Sequence, residues 1–218
     1  MSLWKKLTGR ESKEPQKYPD SGAARTLLLG GAGENADIVR ASRKSVVVAD
    51  LRTAPGVTLL ANLERPLPFR DASFDEVFSL EFIEHIPHPD LPRVLRECRR
   101  VLKKGGAWLS GCPDMEVLAA WFPLQCDCVD AWRADPKCPK CAGRARISPS
   151  RWLKGVFGNQ EDYGDQRRSD THKNGLWFGR LKELLEEAGF SEVKRADAET
   201  YYAKGKADSK VVVQARAD

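Results

Sequence analysis

Four cysteines crowd into one polar stretch, Cys126-x-Cys128-x9-Cys138-Pro-Lys-Cys141, out of six in the 218-residue chain. Two close cysteine pairs can present four thiolates to one tetrahedral ion, and a Cys-Pro-x-Cys turn is a common half of such a site. No apolar core of a secretion signal is present, so the compartment is read as cytoplasmic, where clustered cysteines point to metal more than to disulfides. Zinc is the expected ion, with free thiols or another metal as the alternatives. A four-thiolate site has no open position, so its role is structural. Pro136 and Pro139 suit a knuckle and not a core helix. Cys98 and Cys112 are expected to stay outside it, one on the apolar face of a helix and the other at a strand end. Arg133, Lys137, Lys140, Arg144, Arg146, Arg151 and Lys154 lie around the tetrad, against Asp127, Asp130 and Asp135. Two uses are open for them: reading an anionic substrate, or balancing the charge of the thiolates.

Three further places carry chemistry. Glu84 and His85 form an acid–imidazole pair. Histidine titrates near neutral pH, so one reading is a catalytic base and the other a helix-start residue bonded to the next loop. His172 lies in a polar run with Gln160, Tyr163, Arg167 and Arg168, where a lid over a site would come; it is either a base or substrate ligand, or structural. Gly30-Gly31-Ala32-Gly33 follows an apolar run, and Asp50 ends the next one. A glycine-rich strand-to-helix turn lets a ligand approach the backbone. An acid at the end of the second strand, at this spacing, accepts hydrogen bonds from both hydroxyls of a ribose.

The elements that position these groups follow from periodicity. Strands are expected over 26–29, 45–49, 57–61 and 76–79, with a helix over 34–43. Asp90 can cap the next helix, and Pro92 sits in its first turn, where a missing N–H costs nothing. Leu91, Val94, Leu95, Cys98, Val101 and Leu102 make its apolar face. Gly105-Gly106 stops it, and Ala107 starts another strand. A helix over 176–187 and strands over 190–195 and 210–215 close the chain. Strand, crossover helix and strand imply parallel pairing with helices packed on the sheet. Ligands bind such sheets at the carboxyl ends of the strands, which places Ser79, Leu80 and Glu81 at the site.

Five short motifs occur together: Leu67-Pro68-Phe69, Ser73-Phe74-Asp75, Glu84-His85-Ile86, the run from Glu97 to Gly106, and Pro113-Asp114. As a set they resemble a bacterial group of class I S-adenosylmethionine (SAM)-dependent methyltransferases, over about 27–114 and again from near Gly158. The resemblance implies a Rossmann-like α/β sheet of about seven strands, mostly parallel with an antiparallel last strand and helices on both faces. It implies that the loop of Gly30, Gly31 and Gly33 wraps the methionine part of SAM, and that Asn62 and Leu63 meet the adenine. Leu51, Ser79, Leu80 and Glu81 complete the implied cofactor set around Asp50. Leu28 and Glu34 stand where that family often has an acid and a third glycine. Methyl transfer from SAM to a small-molecule or glycan acceptor is the activity implied, with His172, His85 and Glu84 as catalytic candidates. An RNA-directed enzyme gripping RNA through the zinc element, or a non-catalytic SAM-binding module, are the other readings.

Hydrophobic residues make up 41% of the chain and the net charge is +5. That suits one domain with a sizeable core, and permits a nucleic-acid partner without implying one. No apolar run is long enough for a transmembrane helix. Residues 1–22 read as a polar extension in which Leu3, Trp4 and Leu7 make a short apolar side. It either packs on its own domain or meets a membrane surface or partner. Residues 23–218 then form the domain, with 115–175 too long for an ordinary loop and read as an insertion carrying the cysteines.

Overall fold

In the computed structural model, the structure describes residues 24–30, 34–63, 65–130, 132–158, 171–203 and 205–218. The expected extension over 1–22 lies outside them, as do Gly31, Gly33, Gln160, Tyr163, Arg167 and Arg168. The elements in chain order are β1 (Arg25–Leu29), α1 (Glu34–Ser42), β2 (Ser45–Asp50), β3 (Leu59–Leu60), β4 (Phe74–Leu80), α2 (Leu91–Val101) and β5 (Leu102–Pro113). There follow α3 (Met115–Trp121), α4 (Pro149–Phe157), α5 (Phe178–Glu187), β6 (Phe190–Arg195) and β7 (Lys210–Ala217). Seven strands form one sheet in the order β3-β2-β1-β4-β5-β7-β6. The first five are parallel, and β7 runs antiparallel between β5 and β6. This is the Rossmann-like arrangement expected, with its antiparallel last strand.

Both faces of the sheet are buried, which is why its strands read as continuous apolar runs. On one face Leu27, Leu29, Val77 and Trp108 pack under Leu91, Val94, Leu95 and Cys98 of α2 and Leu181, Leu184 and Leu185 of α5. On the other, Leu28, Val48, Phe78, Leu80 and Val212 meet Val39 of α1 and Tyr202 and Ala207 of the β6–β7 connection.

The motifs at 67–69 and 97–106 meet in space. Glu97 accepts from the backbone N–H of Leu67 at 3.0 Å and pairs with Arg100. Arg100 donates to the carbonyls of Phe69 and Leu67 and to Asp71. The Arg100 hydrogen bonds hold the Glu97 carboxyl below its ordinary range. One guanidinium fork thereby ties the loop before β4 to α2, a geometry a lysine cannot reproduce.

Local structure departs from the sequence expectation at four points. The helix ends at Val101, and Leu102 already pairs with Phe74 in β5. Lys103 to Gly106 are accommodated by a bulge in which Gly105 takes φ +74° and Lys103 binds Asp75 at 2.9 Å. Asp90 holds the N-cap position of α2, but its carboxylate takes Arg93 instead of a backbone N–H. The third strand shrinks to Leu59–Leu60, because the Thr58 hydroxyl replaces a main-chain group in accepting from the Val48 N–H. The last long helix starts at Phe178, while Leu176 instead bridges to Asp114.

Arg100→Lys is expected to lower stability by about 1–3 kcal/mol, the cost of leaving half-buried acceptors unpaired. The urea midpoint measures it; an unchanged midpoint would show the fork to be dispensable.

Candidate active site and cysteine knuckle

A cleft opens at the carboxyl ends of the parallel strands, lined by Gly30, Asp50, Leu51, Arg52, Asn62, Leu63, Glu81, Phe82, His85, Ile86 and Lys173. Gly30 ends β1 at φ +71°, and a Cβ there would lie 2.8 Å from that of Phe82, so only glycine fits. Asp50 is 4% exposed. Its Oδ1 accepts from the Arg52 N–H at 2.8 Å, and its Oδ2 is buried with no hydrogen-bond partner among the described residues. Leu51, by contrast, is 58% exposed and forms an apolar shelf beside that carboxylate. Ser79 and Leu80 do not line the cleft. Alternation along β4 turns them into the buried sheet, with Leu80 in the core against Tyr202.

Glu81 is held in an unusual posture. Its φ is +55°, its N–H donates to the Gly111 carbonyl, and its Oε2 accepts from Lys210 at 2.6 Å. Burial alone would raise its carboxyl, but the adjacent Lys210 charge and hydrogen bond outweigh that and hold it below 4.5. Lys210 opens β7 and had no place in the sequence reading; a lone lysine directly before Val211-Val212-Val213 was the available signal.

Glu84 and His85 lie in a short 3₁₀ turn, Ile83–His85, directly after the cleft-lining Glu81 and Phe82. Glu84 is 1% exposed, and its carbonyl accepts from the N–H groups of Lys173 and Asn174. That contact carries His172 beside His85, with ring centroids 5.0 Å apart. The Nδ1 of His85 faces the Thr171 carbonyl at 3.2 Å, and the Nδ1 of His172 faces the Gly155 carbonyl at 3.0 Å. A carbonyl only accepts, so both Nδ1 atoms carry a proton. Burial, then the neighbouring His85, push His172 down to about 4. The two histidines named separately from sequence are therefore one unit.

The profile of a methyltransferase-domain family matches residues 23–109. Residues 23–109 are thus a methyltransferase domain, carried on a sheet of the class I SAM-dependent kind. A demethylmenaquinone methyltransferase of Listeria monocytogenes is 30% identical over 168 residues, which are 72% of this chain and 57% of that protein. A probable SAM-dependent methyltransferase of Mycobacterium tuberculosis is 38% identical over 104 residues, 42% of this chain and 36% of that protein. The chain thus spans little more than half the length of the demethylmenaquinone methyltransferases it matches. Among solved structures, a SAM-dependent methyltransferase from Mesorhizobium loti is similar in fold, with TM-score 0.52 and 19% identity over 91% of this chain and 93% of that one.

Beyond this methyltransferase sheet, α3 and α4 flank the cysteines. Cys126 Sγ lies 3.7 Å from Cys138 Sγ, and Cys128 Sγ lies 3.4 Å from Cys141 Sγ. Those separations exclude disulfides. Two thiolates bound at ~2.3 Å to one tetrahedral ion stand about 3.8 Å apart, so the observed cage has the size zinc needs. Its backbone turns on hydrogen bonds from Ala142 to Cys138 and from Arg144 to Cys141. Backbone N–H groups of Cys141 and Lys140 hold the Cys138 thiol down, and that of Ala145 holds Cys141 at about 7. Burial and the bond to Cys141 push Cys128 up to about 12. Two of the basic residues are used structurally: Arg144 donates to the Cys141 carbonyl, and Arg151 stacks over Trp132. Cys98 and Cys112 are fully buried elsewhere, and burial pushes both thiols up.

Lys210→Met is expected to leave Glu81 unpaired and cost about 3 kcal/mol at neutral pH. The native carboxyl is held below its ordinary range, so the pair stabilises above that range and loses its contribution as pH falls. The variant's deficit should therefore shrink on acidification through the carboxylate range, read as converging urea midpoints; a deficit independent of pH would rule out the pair as its source.

Proposed function

We propose that this chain transfers the methyl group of SAM to a small-molecule or glycan-type acceptor. The observation that carries the reading is Asp50 Oδ2, a buried acceptor without a partner at the wall of the cleft. Such a group costs free energy unless a ligand donates to it. A ribose hydroxyl is the donor that suits its place after β2. Gly30 leaves backbone room beside it, Leu51 offers an apolar surface to a base, and Asn62 lines the same cleft, an amide of the kind that meets an adenine amino group. The residues fit SAM, which when bound supplies an electrophilic methyl on its sulfonium. The demethylmenaquinone methyltransferase relatives support a small organic acceptor. Positioning contributes most of such a rate, and Glu84, His85 and His172 supply the polar wall on the acceptor side. His172, neutral at pH 7, is a proton acceptor held behind His85. Among the described residues no helix is long and apolar enough to cross a membrane.

The cysteine tetrad fits a structural zinc centre. Residues 115–175 act as an insertion in a domain spanning 23–218, and residues 1–22 as an extension to it. The tetrad's surroundings support this: the small core there consists of Cys126, Val129, Cys138 and Ala145, edged by Cys128, Ala134 and Cys141. A core in which four of seven residues are cysteines depends on a metal for its folding energy.

Calorimetry with SAM tests the first reading. Asp50→Ala is expected to weaken binding by about 1.5–3 kcal/mol, roughly 10- to 150-fold, and equal affinity would remove the ribose assignment. For the second, metal analysis should return about one zinc per chain. Cys138→Ser should open 115–175 to protease while the sheet stays intact; a metal-free protein that resists protease would refute the centre.

A further inference from the structure

We infer that Glu84, His85 and His172 form a second metal site, distinct from the cysteine knuckle, for a divalent first-row cation of the Mn²⁺ or Fe²⁺ kind. The carboxylate and the two imidazoles bring one ligand atom each to within 4.8 Å of one another. Ligands bound at ~2.0–2.2 Å on one face of a cation stand about 3–3.5 Å apart, so a side-chain shift of about an ångström closes the set. Two histidines and one carboxylate on a face are the donor set of open divalent sites in which further positions stay free for substrate.

Three observations converge on this use. Both histidines have their Nδ1–H committed to backbone carbonyls, those of Thr171 and Gly155, which fixes the rings and presents Nε2 as donor. That is the outer-shell arrangement metal-ligating histidines need. Glu84, 1% exposed, is shielded from bulk water on the side where the two imidazoles approach its carboxylate. The neighbouring Lys210, which would repel a cation, is paired with Glu81 at 2.6 Å. Thiolates are absent from this set, so a hard or borderline ion is preferred to the soft-ligand zinc of the knuckle.

The position also says what the cation is for. His85 lines the cleft, so the open coordination positions face the space beside the cofactor pocket. Resting on the methyltransferase reading, the acceptor is then an oxygen nucleophile, a hydroxyl able to ligate the cation, as in a vicinal diol or catechol. Coordination lowers the hydroxyl pKa. The acceptor oxygen gains the methyl as the sulfonium carbon–sulfur bond breaks, its proton leaves to water, and the neutral thioether remains.

The test uses full-length protein already replete in zinc. Mn²⁺ is titrated and read by electron paramagnetic resonance, with nitrogen hyperfine coupling reporting imidazole ligation. One Mn²⁺ per chain is expected, with nitrogen coupling, and His172→Ala or Glu84→Gln should weaken it at least tenfold while the knuckle zinc is retained. Asp50→Ala should leave Mn²⁺ binding unchanged, so loss of the SAM reading and loss of the metal site are separable. Because His172→Ala could unfold its loop, circular dichroism and zinc content of each variant are measured, and Glu84→Gln, nearly isosteric, serves as the second probe. Zinc-replete protein that takes up no Mn²⁺, Fe²⁺ or Co²⁺, or Mn²⁺ bound without nitrogen coupling, overturns the site.

Discussion

A parallel sheet covered on both faces has one place to keep polar chemistry, the rim where its strands end. Inside it every side chain is taken by packing, and an unpaired charge is prohibitive. The buried acids obey this rule: Asp50 ends β2, Glu84 sits in the turn after β4, and Asp114 follows β5. All three therefore lie along one edge of the sheet, whatever the sequence distance. The cleft, the histidine pair and the route to the insertion are all consequences of that one rim.

The rim also explains which parts of the site could be read from sequence. Gly30, Asp50 and the 84–86 turn lie within a few residues of strand ends, so a strand assignment alone places them. Ser79 and Leu80 lie buried in the sheet, because successive residues of β4 turn to its two covered faces. The pairing of His85 with His172 was not legible, since it depends on the Glu84 carbonyl receiving two N–H groups from 173–174. Lys210 was missed for a related reason: its partner Glu81 lies across the sheet, and no local pattern links them. An element boundary failed where a side chain did main-chain work, as at Thr58.

The cysteine-bearing segment is connected to the rim. Ile147 pairs with Gln125 at the base of the knuckle, and α4 begins two residues later. Trp152 of α4 donates to the Leu118 carbonyl, and Gly155 packs on the Leu118 side chain. The Gly155 carbonyl then holds the His172 ring. A continuous set of short contacts thus runs from the cysteine cage to an imidazole beside the cleft, whose tautomer the Gly155 carbonyl selects.

The strand order has a consequence for how the molecule is made. β6 touches the rest of the sheet only through β7, and β7 must enter between β6 and β5. β6 emerges first, so it waits without a ladder until its neighbour arrives. Its own sequence, Phe-Ser-Glu-Val-Lys-Arg, carries the charges that discourage association of such an orphaned edge. Pairings this distant along the chain make for slow assembly. The transition state for folding is thus expected to contain the five parallel strands before the last two lock in, with Lys210 reaching Glu81 among the final events.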